Sequence, residues 1–511
     1  MRSRNALYNI STNLILQLIV IIYGFVVPKI IINSFGSNVN GLVSSITQFL
    51  GYIALLESGF GPVVKAALYK PIAKKDKKEI SDILKTTEKF FKTISYIFLL
   101  YIFILCLVYP FIVASNFSWI YTASLIAIIG LSTFAEYFFG MTYRLYLQAE
   151  QKTYVISIIQ MVAYIISIIV IIVLARFSVS VHLIKLASCL IFIIRPLIQN
   201  MYVKKKYNLS LKRANSNYEI NQKWDGLAQH IASVIHNNAD VTILTIFSSL
   251  VEVSVYSVYY LVVKGLRAII LSFTGGIDAI FGDMLAKNES ENLNQKFDTY
   301  EVLYNIISTV LFTSGIILIV PFVEVYTRGV TDANYIRYVF GYLIVTSEYI
   351  WAIRQPYNEL IKAAGHFKQT KAGAWIECLL NIVISVALVG KLGLIGVAIG
   401  TIIAMTIRTI EFIYYSNKHI LKRNPWNSFK KIIFVIFETL IIVFVCNFIP
   451  YLENASYINW FINAILTSIT AMIITSTLNI IFFKKDLLYV FKLLNDLRKR
   501  RTKKCLTFIK E

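Results

Sequence analysis

Hydrophobic residues along this chain fall in runs of about twenty or more, parted by short polar segments. Runs of that length match the hydrocarbon core of a bilayer, roughly 30 Å thick at about 1.5 Å of rise per helical residue. Fourteen runs read this way: residues 10–32, 42–68, 94–113, 120–145, 154–175, 179–201, 227–247, 253–273, 303–325, 338–361, 372–389, 394–415, 432–449 and 458–483. Inside lipid, backbone N–H and C=O groups must find partners within the segment itself, so each run is expected as a helix. The pattern predicts an all-α polytopic membrane protein with about fourteen transmembrane helices.

The charges between the runs give sidedness. Arg2 and Arg4 precede the first run, and Lys70, Lys74, Lys75, Lys77 and Lys78 follow the second. Lys204, Lys205, Lys206, Lys212 and Arg213 follow the sixth, and Lys418, Lys422, Arg423, Lys430 and Lys431 the twelfth. A last cluster, Arg498–Arg501 with Lys503 and Lys504, ends the chain. All these clusters fall on one side of an even-numbered set of crossings, and the positive-inside rule makes that side cytoplasmic, with both termini on it. The expected location is a bacterial plasma membrane. The first run has no small-residue cleavage site near its end and reads as a retained helix.

Composition narrows the classes. With 57% hydrophobic and 15% charged residues, the chain lacks the polar surface of a water-soluble protein, which carries about 25% charge. The net charge of +22 is spent on topogenic clusters, so the phosphates it meets are expected on lipids or a lipid-linked substrate, not nucleic acid. The five cysteines form no CxxC pair or disulfide framework. No Walker, HExxH or GxSxG motif and no metal-ligand spacing is present, so no cofactor is expected and transport would draw on the membrane potential or an ion gradient. The opposite loops, such as residues 33–40 and 248–252, are short and nearly free of cations. They leave no room for extracytoplasmic catalysis, and a non-enzymatic role within the bilayer is expected.

An internal repeat is visible. Ala135-Glu136-Tyr137 in the fourth run matches Ser347-Glu348-Tyr349 in the tenth, 212 residues on, and Gln17/Gln229, Phe35/Phe247 and Val39/Val251 share that offset. Each match links run n to run n + 6, the register of parallel repeats about the membrane normal. The expected division is residues 1–213 as one lobe, 214–424 as the second, 425–483 as two appended helices and 484–511 as a basic cytoplasmic tail.

Charges inside apolar runs cost about 2.5–3.5 kcal/mol each on insertion scales, so they mark pairs or wet cavities. Gln229, Ser233, His236 and Asp240 recur at helical spacing along the seventh run, and Tyr256, Tyr260, Lys264 and Arg267 along the eighth. Cations below tyrosines suit a substrate with phosphate and sugar parts, because guanidinium grips phosphate in a fork and aromatic faces stack on sugar rings. Alternatively, Lys264 and Arg267 neutralise Asp240 and a neighbouring glutamate. His236 and Asp240 read either as a proton relay, the candidate coupling site, or as a satisfied pair. In the second run, Glu57, Gly59, Gly61 and Pro62, with Lys65 a turn beyond, mark a helix weakened for gating or one packed closely on a neighbour. Glu136, Glu348 and Arg354 read as structural charges.

Phe35-Gly36-Ser37-x-Val39-Asn40-Gly41-Leu42, Leu55-Leu56-Glu57-Ser58-Gly59-Phe60-Gly61 and Leu68-Tyr69-Lys70-Pro71 resemble the polysaccharide flippases, the Wzx-type transporters. These belong to the superfamily that also holds multidrug extruders and the lipid II flippase. Leu147-Gln148-Ala149-Glu150 and Ala363-Ala364-Gly365-His366 resemble that family's repeated loop elements. The resemblance implies two six-helix lobes around a central cavity lined by helices one, two, seven and eight. It also implies alternating access that carries an undecaprenyl-pyrophosphate-linked oligosaccharide or a teichoic-acid-type unit to the outer face. Implied partners are the lipid-linked glycan, anionic lipids, and a polysaccharide polymerase and glycosyltransferases. A multidrug or toxin extruder is the alternative within the superfamily. A membrane polymerase or ligase is the alternative outside it, although such an enzyme is expected to need a large outer loop.

Residues 484–504 mix cations with Leu487, Leu488, Phe491, Leu494 and Leu497 and predict an amphipathic helix on the cytoplasmic leaflet. The topology is tested directly by cysteine labelling of intact cells. Single cysteines within 34–40 and 248–252 should react with an impermeant reagent, and those within 74–78 and 204–206 should be protected. Outer labelling of either lysine cluster would overturn the helix count.

Overall fold

The fourteen runs fall mainly on helix in the computed structural model, which describes residues 2–57, 59–114, 116–207, 227–452, 455–484 and 486–488. The helices are α1 (Arg2–Gly51), α2 (Ala54–Glu57), α3 (Phe60–Lys74), α4 (Lys77–Ile112), α5 (Trp119–Ala135), α6 (Met141–Ala149), α7 (Thr153–Arg176), α8 (Val181–Tyr207) and α9 (Leu227–Phe247). They continue with α10 (Leu250–Leu271), α11 (Ile277–Ala286), α12 (Ser290–Tyr326), α13 (Tyr338–Ile353), α14 (Gln355–Ala363), α15 (Phe367–Leu392), α16 (Leu394–Tyr415), α17 (Trp426–Cys446) and α18 (Tyr457–Phe482). Among the described residues there is no strand. Among the described residues ten helical segments are long and apolar enough to cross a membrane, and the chain is a multi-pass membrane protein. Of the remaining runs, α13 has only 16 residues, α9 is rich in amides, and α17 carries Lys430, Lys431 and Glu438. The basic segment at 208–226 and nearly all of the tail helix expected at 484–504 lie outside the described residues.

Several boundaries differ from the sequence reading for physical reasons. The loop expected at 33–40 is a single corner, because helix runs unbroken to either side of Gly36. Gly36 takes φ 83° and ψ 171°, a conformation that a side chain makes strained. The second predicted span is not continuous: helix stops at Gly51, makes one turn over Ala54–Glu57 and restarts at Phe60. The third and ninth spans belong to helices of 36 and 37 residues that begin well before their apolar runs. Asp76 sets the start of α4, its carboxylate accepting from Lys78 N and Glu79 N, both at 3.0 Å.

The chain divides into two compact units. Residues 1–261, 329–334 and 385–397 form the first. Here α1 packs along α7, α4 along α5, and α8 against both α5 and α7. Leu42, Val64, Leu68, Leu84, Phe91, Phe98, Leu125 and Ile184 are fully buried in its core. Between α5 and α6 the helix widens into a π turn at Glu136–Gly140. Glu136 meets Arg195 at 2.6 Å and Arg144 at 3.5 Å.

Residues 262–328, 335–384 and 398–511 form the second unit. Its long α12 packs against α13, α17 and α18. The N-terminal part of α12 is held by a charge cluster. Glu301, fully buried, accepts from Lys431 Nζ at 2.7 Å and from the Tyr357 hydroxyl. Lys431 also binds Asp298, which pairs with Arg423 at 2.7 Å. Another cluster joins Arg354 to Glu377 at 2.5 Å and Arg408 to Glu411 at 2.6 Å. Exposed apolar side chains such as Ile433, Leu440, Phe444 and Ile473 coat the outer faces of α17 and α18, as lipid contact requires.

Removing one partner from a buried ion pair costs about 3–5 kcal/mol, because the other charge is left uncompensated. Lys431→Met should therefore lower the unfolding temperature of the detergent-solubilised protein sharply. Adding Glu301→Gln should recover most of that loss. A Lys431→Met protein as stable as the parent would show that Arg423 alone holds the two carboxylates.

Candidate functional site

The polar stripes predicted on the seventh and eighth spans lie on α9 and α10. α9 presents its helical face as expected, with Ser233 exposed and Gln229, His236 and Asp240 half-buried. Asp240 Oδ2 accepts from the Tyr256 hydroxyl at 3.0 Å. His236 is different: its Nδ1 is buried with no hydrogen-bond partner among the described residues. On α10, Tyr256 and Tyr260 stack with ring centroids 5.7 Å apart. Lys264 and Arg267 follow on the same helical face, but they are held in different ways. The Arg267 guanidinium lies 3.5 Å from Glu348 and 4.0 Å from the centroid of the Trp351 ring, which it covers. Lys264 is exposed, and no carboxylate among the described residues stands within ion-pair distance of it. A lone ammonium on a spanning helix needs water or a ligand anion beside it.

Several other intramembrane charges are compensated inside the fold. Glu57 accepts from the Tyr137 hydroxyl at 2.7 Å. Glu136 and Glu348, matched in the repeat, each face arginine, and Arg354 faces Glu377. The two glycines of the second span separate by role. Gly59, the residue before α3, takes φ 80° with open space where a Cβ would stand, so it serves the break in the helix. A Cβ on Gly61 would stand 3.4 Å from Leu145, so Gly61 serves packing on α6. Pro62 lies in the first turn of α3, where its missing N–H has no helical acceptor to lose. Lys65 is half-buried one turn later.

A second polar array lies between the part of α1 after Gly36 and α9 with the first turns of α10. Ser37 donates through N and Oγ to Asp332, at 2.7 and 2.8 Å. Asn40 Nδ2 donates to Ser254 and Ser257, at 2.8 and 3.2 Å. Ser45 meets Thr245 at 2.6 Å, Tyr52 meets Thr242 at 3.0 Å, and Gln48 donates to the Asn237 carbonyl at 3.0 Å. A Cβ on Gly41 would fall 1.8 Å from the Leu250 carbonyl oxygen, so only glycine allows this approach. Ser37, Asn40 and Gly41 belong to the first motif of the family resemblance, whereas Ser45, Gln48, Tyr52, Thr242 and Thr245 carry neither charge nor motif to mark them, although Gln48 and Tyr52 lie four apart. The seam runs from the cation-poor end of the helices to the break at Gly51. Among the described residues no group of three His, Cys, Asp or Glu side chains is placed to hold a metal ion.

No protein-family model matches the chain, and no curated protein matches it. Solved structures do match in fold. The lipid II flippase MurJ, in an inward closed conformation, aligns with TM-score 0.68 at 16% identity over 94% of this chain and all of its own. An inward-facing multidrug resistance MATE family transporter of the MOP superfamily gives 0.56 at 15% identity over 78% of this chain and 95% of its own. A Vibrio cholerae MATE transporter gives 0.55 at 14% identity, over 83% and 99%. This chain therefore has the polytopic all-α fold that the MurJ flippase and the MATE transporters share.

Proposed function

We propose that this chain is a flippase that carries a lipid-linked oligosaccharide or teichoic-acid-type unit, borne on undecaprenyl pyrophosphate, to the outer face of the plasma membrane. The observation that carries the reading is Lys264. It is an exposed cation on a spanning helix, without an ion pair among the described residues, whereas the acidic side chains flagged inside the spans have hydrogen-bond or ionic partners. A site with that balance suits a passing anion. An exporter of cationic drugs would need the opposite, a carboxylate left available. A pyrophosphate midway through lipid must have its charge compensated, since no water solvates it there. Tyr260, half-buried one turn before Lys264 on α10 and backed by the buried Tyr256, adds a ring face on which a sugar can lie. The fold shared with a lipid II flippase supports transport by alternating access, with the Ser37–Tyr52 seam closed at the outer end.

Lys264→Ala should cut export of the glycan by tenfold or more while leaving the amount of folded protein unchanged, and Lys264→Arg should keep most of it. Arg267→Ala should lower folded protein, because Glu348 loses its counter-charge, and adding Glu348→Gln should restore the fold. The measurement is the lipid-linked intermediate in membranes of a deletion strain carrying each variant. Single repeat units held on the cytoplasmic face support the flippase. Flipped but unpolymerised units would point to a polymerase. Unchanged glycan with altered drug sensitivity would point to an extruder.

A further inference from the structure

In the second unit a cavity of about 460 Å³ opens between α13, α16 and α17, within the range of ligand pockets. Tyr349 and Ile353 form its buried floor with Thr409 and Val435, and exposed Ile410, Ile436 and Leu440 form its mouth. Those mouth residues belong to the lipid-facing surface, so the cavity is entered from the bilayer. Its chemistry is narrower than its residue types suggest. Thr346, Thr406, Thr409 and Thr439 each donate their hydroxyl to the carbonyl four residues earlier, at 2.7–2.8 Å. The Tyr349 hydroxyl donates to Thr309 at 2.7 Å. Every hydroxyl proton on the wall is therefore donated internally, and what remains for an occupant is largely aliphatic and aromatic surface. Such a cavity takes hydrocarbon and offers nothing to a sugar, a phosphate or a drug cation.

The basic end of the cavity is marked differently. Phe429 lines the cavity there, and the next residue, Lys430, is exposed with no ion pair among the described residues. Trp426, also exposed, lies one turn before Phe429 and is a residue type that favours the membrane interface. Lys418, exposed and bonded to the Tyr414 hydroxyl at 2.6 Å, lies eight residues beyond Ile410, in the π turn Ser416–Ile420 that follows α16. Hydrocarbon walls with ammonium groups at one end match a single lipid whose chain lies between the helices and whose headgroup is anionic.

We infer that this cavity is a binding site for an anionic phospholipid of the inner leaflet, one acyl chain between α13, α16 and α17 and its phosphate between Lys418 and Lys430. The inference stands independently of the transported substrate. The probes are phosphatidylglycerol and phosphatidylethanolamine, each with a photoreactive group in one acyl chain, added to the full-length protein in mixed micelles. Phosphatidylglycerol should label α13 peptides around Tyr349 at least tenfold more than phosphatidylethanolamine does. Lys418→Glu with Lys430→Glu should abolish that preference. Ile436→Trp, a change at an exposed position, should reduce α13 labelling while thermal unfolding stays unchanged. Labelling spread evenly over exposed helices such as α4 and α18 would overturn the site, as would equal labelling by the two lipids. Undecaprenyl phosphate that competes fully with phosphatidylglycerol, and still labels α13 after both charge reversals, would reassign the cavity to an isoprenoid chain and overturn the proposal.

Discussion

Compensation of charge within lipid governs how this protein is put together. Each ionised side chain placed in an apolar span forfeits its water, and a partner on a neighbouring helix is the usual remedy. Glu136 draws α8 onto the π turn through Arg195, Glu348 draws α10 onto α13 through Arg267, and Glu377 draws α13 and α16 towards α15 through Arg354 and Arg408. Lipid tails provide no hydrophobic drive between helices, so these contacts carry specificity that in water would come from a core. An uncompensated cation is conspicuous in that setting, and it is why Lys264 weighs more than the larger stripe around it.

Hydroxyl and amide seams do similar work at lower cost. Ser45, Thr245, Tyr109, Tyr52 and Thr242 exchange hydrogen bonds along α1 and its neighbours. Interhelical bonds of this kind are individually modest, about 0.6 kcal/mol on average in a membrane protein where they have been dissected. A row of them can hold two helices together and still be released together. Gly41, whose missing side chain lets the Leu250 carbonyl come close, sets the distance at which the row can form.

How much of this was legible in the sequence follows from what sets each feature. The all-α polytopic class was readable because it depends on run length against bilayer thickness, a local quantity. The pairing of Glu136 and Glu348 with arginine was foreshadowed by their matched places in the repeat. Which arginine each would meet was not, since it depends on how α8 and α10 rotate about their own axes. Arg423 and Lys431 looked like members of a topogenic cluster, and only tertiary packing brings them to Asp298 and Glu301. The break between Gly51 and Phe60 was signalled by its glycines and proline. The division of labour, Gly59 for backbone and Gly61 for packing, needed the positions of neighbouring atoms. The α13–α16–α17 cavity left no trace in sequence, because its threonines read as polar until their hydroxyls are seen folded onto their own helices.

The placement of Lys431 has a consequence for biogenesis. Lys430 and Lys431 stand in the first turns of α17 and Glu438 near its middle, so the cost of holding Lys431 and Glu438 in the bilayer falls as each finds its partner on another helix. The carboxylates of Asp298 and Glu301 are synthesised earlier and await Lys431 as it emerges, whereas Asn479, which donates to Glu438, comes only with the next span. Docking of α17 is then ordered by synthesis: it begins against α12 and is completed when α18 arrives.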